Sequence, residues 1–192
     1  MDWRLAIASV ISSKSAIFEL DRGLIFRYGL PHLPATVDEI QAAETRLGRE
    51  LESNLRAFLQ FANGIPAVTG NDELFGTSDL GQGGKWQGFA EYAQMLGVET
   101  PGFPSNAIPI GGSLEDASLV TLGAGSRPAV VTWFYAGQRA DQWANLYDYL
   151  WAAVRLNEIN LRDIGGDTAL RRAVNDVRLL SGLPPLPVTR ST

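Results

Sequence analysis

Residues 43–64, AETRLGRELESNLRAFLQFANG, are rich in helix formers yet carry a glycine in the middle and another at the end. Glycine reaches left-handed backbone angles at little steric cost, so it commonly stands just past a helix C-terminus. Gly48 and Gly64 therefore read as two stops, and the stretch as two short helices. Ahead of it, Thr36 can cap a helix while Glu39, three residues on, reaches back to the cap amide, with Ala35 and Ile40 placed for a staple. The first helix then carries an Ile40, Ala43, Leu47 face and ends at Gly48. The second runs from about Ser53 to Ala62 with Leu55, Phe58, Leu59 and Ala62 on one side. Such a pair packs as a hairpin against something else.

The rest of the chain supplies that something. Residues 1–20 repeat Trp3, Ile7, Val10, Ile11, Ile17 and Phe18 at mostly helical spacing, with a weak stretch at Ser12–Ser15. GLIFRYGL at 23–30 reads as a strand or an extended connector, ended by the prolines of PHLP at 31–34. After Gly64 the texture changes to glycine, proline and short apolar pieces. ELFGTSDL (73–80) suggests a strand through Leu74 and Phe75, and GQGGKWQG (81–88) a flexible loop. FAEYAQMLG (89–97) suggests a short helix closed by Gly97. AIPIG (107–111), ASLVTLG (117–123) and PAVVTWFYAG (128–137) suggest three strands of an antiparallel meander, the last with the aromatic and β-branched density of a central strand. A helix over 138–157 places Trp143, Leu146, Leu150 and Val154 on one broad face. A final helix spans 167–180, capped by Asp167 or Thr168 and closed before Gly182. The expected fold is α+β: a mainly antiparallel sheet flanked by helices, with a helical hairpin near the N-terminus. One domain over 1–183 is expected, and a mobile tail over 184–192.

With 192 residues, 45% of them apolar and 19% charged, the chain can build a sizeable core. Cysteine is absent, which excludes disulfides, thiolate metal sites and cysteine nucleophiles. Cytoplasmic residence is the expectation, for no apolar run approaches the ~20 residues a membrane helix needs and no convincing cleavage site follows the N-terminus. A net charge of −5 makes sequence-independent nucleic-acid binding a poor reading, since that mode depends on lysine and arginine neutralising phosphates. An acidic surface favours a basic partner, or simply aids solubility.

Catalytic readings fare badly. His32, the sole histidine, sits between two prolines with no nucleophile elbow in the chain, and reads as a solvent-facing turn residue. One histidine without cysteine leaves zinc only carboxylates. GQGGKWQG fails as a phosphate loop because Asp79 stands where glycine is needed and Trp86 occupies the Ser/Thr position. Of the carboxylate pairs, Asp38-Glu39 belongs to a helix start. Asp72-Glu73 and Glu115-Asp116 lie in loops beside the sheet, either as solvated turns or facing a basic partner. Trp86, in its glycine-rich loop, is either an interface anchor or folded back onto the sheet. No cofactor is expected.

The order of these parts resembles the SUKH superfamily, which includes a fungal cell-wall regulator and many bacterial immunity proteins. The resemblance rests on Pro34, Ile40, Glu44, Leu47, Gly48, Leu51, Phe58, Leu59, Asn63 and Gly64, on Leu74-Phe75-Gly76 and Ile108-Pro109-Ile110-Gly111, and on the Leu146-Tyr147-Asp148-Tyr149-Leu150 run. It covers roughly residues 34–155. One departure stands out: the family usually follows its leucine with proline, where this chain has Leu51-Glu52. The resemblance implies a sheet packed by the hairpin and a protein that binds a cognate secreted toxin, often a nuclease, and blocks it inside the producing cell. Asp72, Glu73, Asp79, Trp86, Glu115 and Asp116 are then the candidate partner-binding residues. The alternatives are a SUKH-type scaffold in a regulatory complex and an enzyme using clustered carboxylates.

Overall fold

The computed structural model describes residues 1–22, 24–99, 103, 106–115, 117–123, 130–134 and 138–180, with side chains at most of them. Among the described residues five helices and six strands follow one another as α1 (Trp3–Asp21), α2 (Val37–Leu47), α3 (Ser53–Leu59), β1 (Ile65–Thr69), β2 (Asp72–Leu74), α4 (Gly83–Glu99), β3 (Ile108–Ser113), β4 (Ser118–Leu122), β5 (Val130–Phe134), β6 (Gln138–Trp143) and α5 (Leu146–Leu180). The six strands form one antiparallel sheet in sequential order, a meander. All five residues of β4 are buried, and successive strand residues point to opposite faces, so both faces of the sheet's middle are covered. One buried apolar cluster runs from Trp3 through Phe58, Phe75 and Leu119 to Val154.

The helix pair forms for the reasons its sequence states. Thr36 and Glu39 make the reciprocal capping box, and Gly48 closes α2 at φ +65. The loop beyond is held by Glu44, whose carboxylate accepts the Leu51 N–H at 2.8 Å and pairs with Arg56. Where the family usually has proline, the Glu52 carboxylate accepts the Asn54 and Leu55 N–H groups at 2.9 and 3.1 Å and starts α3 as its cap. The second helix is shorter than expected: α3 ends at Leu59, and a turn carries the chain through Phe61 and Ala62 to Gly64. Gly64 (φ +95) and Gly76 lie against each other's segments so closely that a Cβ on either would strike backbone, at 2.7 and 2.3 Å.

Several expectations are corrected. IPAVT, β1, is a strand that alternation did not single out, because Pro66 interrupts it. GQGGKWQG is not a loop from Gly83 onward; α4 begins there and runs through Gly97 to Glu99. The burial of Phe89, Ala93 and Leu96, with Trp86 packed beside them, offsets the poor helix propensity of its glycines. Residues 138–143 are a strand, not the first turns of a helix. The helix starts at Leu146, where Asn145 Oδ1 accepts the Asp148 N–H at 2.9 Å, and Trp143 instead meets Tyr149 ring to ring at 5.1 Å. The two C-terminal helices are continuous apart from a kink at Gly166 (φ +71, ψ −176). β5 lies inside the sheet but one strand from its edge, not at its centre. Residues 24–30 form a connector, one of the two readings of that stretch, and Gly23, Gly182 and the expected tail lie outside the described residues.

The dip in apolar periodicity at Ser12–Ser15 does not interrupt α1. Ser9 and Ser13 donate to the carbonyls of Leu5 (2.8 Å) and Val10 (3.0 Å), satisfying themselves within the helix. Asn157 of α5, fully buried, donates to Ser13 Oγ at 3.3 Å and to the Val68 carbonyl at 2.8 Å. The weak stripe is thus a polar seam, and α1 packs more extensively on α5 than on any other element.

Candidate functional site

At the end of α1, Arg22 takes the left-handed conformation and turns the chain out. Asp21 accepts the N–H groups of Ile25 (2.7 Å) and Phe26 (2.9 Å); these backbone bonds hold its carboxyl below the usual carboxylate range. The connector is then laced beside β1. Arg27 N–H donates to Asn71 Oδ1 at 3.2 Å, and His32 N–H to the Gly64 carbonyl at 3.1 Å. His32 itself is exposed.

Between this connector, the start of α4 and the β3–β4 turn lies an open groove of about 560 Å³. Phe18, Phe26, Tyr28 and Phe89 give it an aromatic lining, with Phe18 and Tyr28 in ring contact at 5.7 Å. Phe18 (40% exposed) and Leu114 (49%) offer apolar surface to solvent. Two ion pairs flank it. Arg27 pairs with Glu115, both well exposed. Lys85 Nζ lies 2.9 Å from Glu73 and 3.6 Å from Asp79, with the Phe75 ring centroid 6.0 Å away. Burial disfavours the Lys85 charge, but the hydrogen bond and attraction of Glu73, with Asp79 behind it, outweigh this and raise its pKa.

The candidates chosen from sequence are thus only partly convergent. Glu73 and Glu115 line one groove; Asp79 joins it through Lys85, and accepts the Gly76 N–H at 3.3 Å. Trp86 is not on a loop but on α4, half-buried and edge-on to Phe75 at 6.2 Å. Asp72 and Glu73 lie on strand β2 itself and not in a loop beside the sheet; Asp72 accepts a hydrogen bond from the Ser118 hydroxyl, and Asp116 lies outside the described residues. The cations Arg27 and Lys85 and the aromatics at 18, 26 and 28 were missed. The density of LIFRY was the available signal.

Chemically the groove offers apolar contact and exchangeable charge. An exposed ion pair such as Arg27–Glu115 contributes roughly 0–1 kcal/mol, so an incoming cation can displace it at little expense. Among the described residues no group of three or more histidine or carboxylate side chains is placed to hold a metal ion, and no helix is long and apolar enough to cross a membrane.

Set against known proteins, residues 34–152 match the model of the SMI1 / KNR4 family (SUKH-1). No curated protein matches the chain. The family match spans α2 through the first turns of α5 and takes in the whole meander. With more than half of its length inside that match, the chain belongs to the SMI1 / KNR4 family (SUKH-1).

Proposed function

We propose that this protein is a non-catalytic binding protein of the immunity type, which covers a cognate bacterial toxin, often a nuclease, in the cytoplasm of the cell that makes it. The observation that carries the reading is the groove: exposed Phe18 and Leu114 line it together with two carboxylates, Glu73 and Glu115, the latter in an exposed, displaceable ion pair. A basic loop of the toxin would set an apolar or aromatic side chain among Phe18, Phe26 and Tyr28 and take Glu115, then Glu73, from Arg27 and Lys85. Complementary potentials would speed encounter and set orientation, while apolar burial at the centre supplies affinity. Asp79 adds negative charge beside Lys85, and Trp86 packs edge-on against Phe75. Neither membrane nor nucleic acid is a direct partner in this reading.

The test is to purify the protein with the toxin encoded beside its gene, and to measure complex formation and inhibition of the toxin's activity. Tight 1:1 binding that weakens by about tenfold or more in a Glu73→Gln, Glu115→Gln double variant is expected. Binding untouched by both changes would move the contact surface elsewhere. Absence of any complex would overturn the immunity reading in favour of a regulatory scaffold.

A further inference from the structure

Lys14 is the one charged side chain among the fully buried core residues described, at 1% exposure in the middle of α1. Its Nζ donates to the Gly70 carbonyl at 2.6 Å and lies 5.4 Å from the centre of the Phe26 ring. Both neighbours belong to the groove's framework. Gly70 (φ +52) is in the β1–β2 turn, and the next residue, Asn71, holds the Arg27 amide. Phe26, Arg27 and Asn71 all line the groove. The charged and titratable groups acting on Lys14 are Asp72 from β2 and Asp21 from the end of α1, both attractive. Tyr149 of α5 also senses Asp72, and burial first, then that carboxylate, keep its hydroxyl neutral.

We propose that Lys14 is a positioning residue of the groove, kept for the shape it imposes on Phe26 and on the Gly70–Asn71 turn and not for overall stability. A buried cation loses its hydration, and replacing such a group by an apolar one of similar volume is often neutral or stabilising, whereas the directional contacts vanish. Desolvation, which outweighs the pull of Asp72 and Asp21, brings the Lys14 pKa down to about 8. A state that released the side chain to water would restore its ordinary, higher value. Protonation therefore favours release, and rising pH favours the closed arrangement. The inference takes its relevance to binding from the function proposed above, but the placement of Phe26 and the turn can be tested without any partner.

The experiment compares the full chain with a Lys14→Met variant by amide NMR and thermal denaturation. In the parent, the amide signals of Phe26, Arg27, Gly70 and Asn71 should titrate together with a midpoint near 8. In the variant that midpoint should disappear, the same amides should exchange about tenfold faster, and the melting temperature should be equal or higher. A lower melting temperature with uniformly faster exchange would make Lys14 an ordinary structural residue and overturn the proposal; so would unchanged protection of the four amides. Should the variant fail to fold, the parent titration still decides, because the four amides failing to share any titration below the ordinary lysine range refutes the assignment.

Discussion

Asn63 grips Thr77 at two points: its Oδ1 accepts the Thr77 N–H at 2.6 Å and its Nδ2 donates to the Thr77 Oγ1 at 2.9 Å. This clasp gives a structural meaning to two motifs far apart in the chain, Asn63-Gly64 and Leu74-Phe75-Gly76. The side chain secures the approach, and the two glycines leave room for it.

Asn63→Ala should accordingly cost about 2–3 kcal/mol, since it removes two hydrogen bonds and leaves the N–H of buried Thr77 without its acceptor. Gly76→Ala should cost at least as much, because its Cβ would stand 2.3 Å from the Asn63 carbonyl oxygen. Urea denaturation of both variants checks this. Stability within 0.5 kcal/mol of the parent, the range expected of neutral surface changes, would mean the clasp is incidental.

Glu44 should behave as a loop anchor. Its Ala variant loses the Leu51 N–H bond and leaves Arg56 unpaired, and about 1–3 kcal/mol of destabilisation is expected by thermal melting. Glu44→Gln should lose less, because an amide oxygen still accepts from Leu51. If Gln proves as damaging as Ala, charge dominates the anchor and the backbone bond does not.

Position 52 allows a direct trial of the departure from the family pattern. The backbone there (φ −60, ψ 146) already suits proline, and the carboxylate serves as the α3 cap. Glu52→Ala should cost about 0.5–2 kcal/mol. Glu52→Pro should recover roughly 0.4–1 kcal/mol of that by restricting the unfolded chain. A proline variant less stable than the alanine variant would show that the two residues are not alternative solutions to one problem.

Lys14 gives stability a distinct pH dependence. Its folded pKa is lowered to about 8 from a model-compound value of 10.5, so between these limits the unfolded chain holds more protons than the native one. Stability contributed by this group should therefore rise with pH through that window, with a slope approaching about 1.4 kcal/mol per unit. The relevant measurement is the difference between parent and Lys14→Met in denaturant midpoints from pH 7 to 10, which removes contributions the two share. A difference that is flat with pH would contradict the lowered pKa.

How much of this could be read from sequence depends on whether a signal was local. The Thr36 capping box, the Gly48 stop and the strands β3, β4 and β5 announced themselves because each is encoded within a few adjacent residues. The α4 start at Gly83 did not, since only burial of Phe89 and Leu96 overrides its glycines, and burial is a long-range fact. The helix expected over 138–157 ran too far back because Trp143 kept helical spacing with Leu146 and Leu150, while the true start lay in the Asn145 and Asp148 pair. Within the groove, Glu73 and Glu115 were found by their charge, although Glu73 stands on β2 and not in a loop. Their cations were not, because Arg27 and Lys85 reach them from 88 and 12 positions away. Lys14 was invisible for a related reason: nothing in ISSKSAIF tells a buried ammonium from a solvated one.

The family match begins at residue 34 and stops at 152, yet α1 and the distal part of α5 lie beyond it on either flank and rest on each other. Ile17, Leu161 and Ala173 make a small apolar nucleus of their own there, and Gly165 fits so tightly that a methyl group would meet Leu20 at 2.3 Å. Neither flank can be trimmed alone without baring an oily stripe on the other. Shortened versions of this protein should therefore keep both extensions, the more so because α1 also carries Trp3, Ala6 and Val10 into the main core.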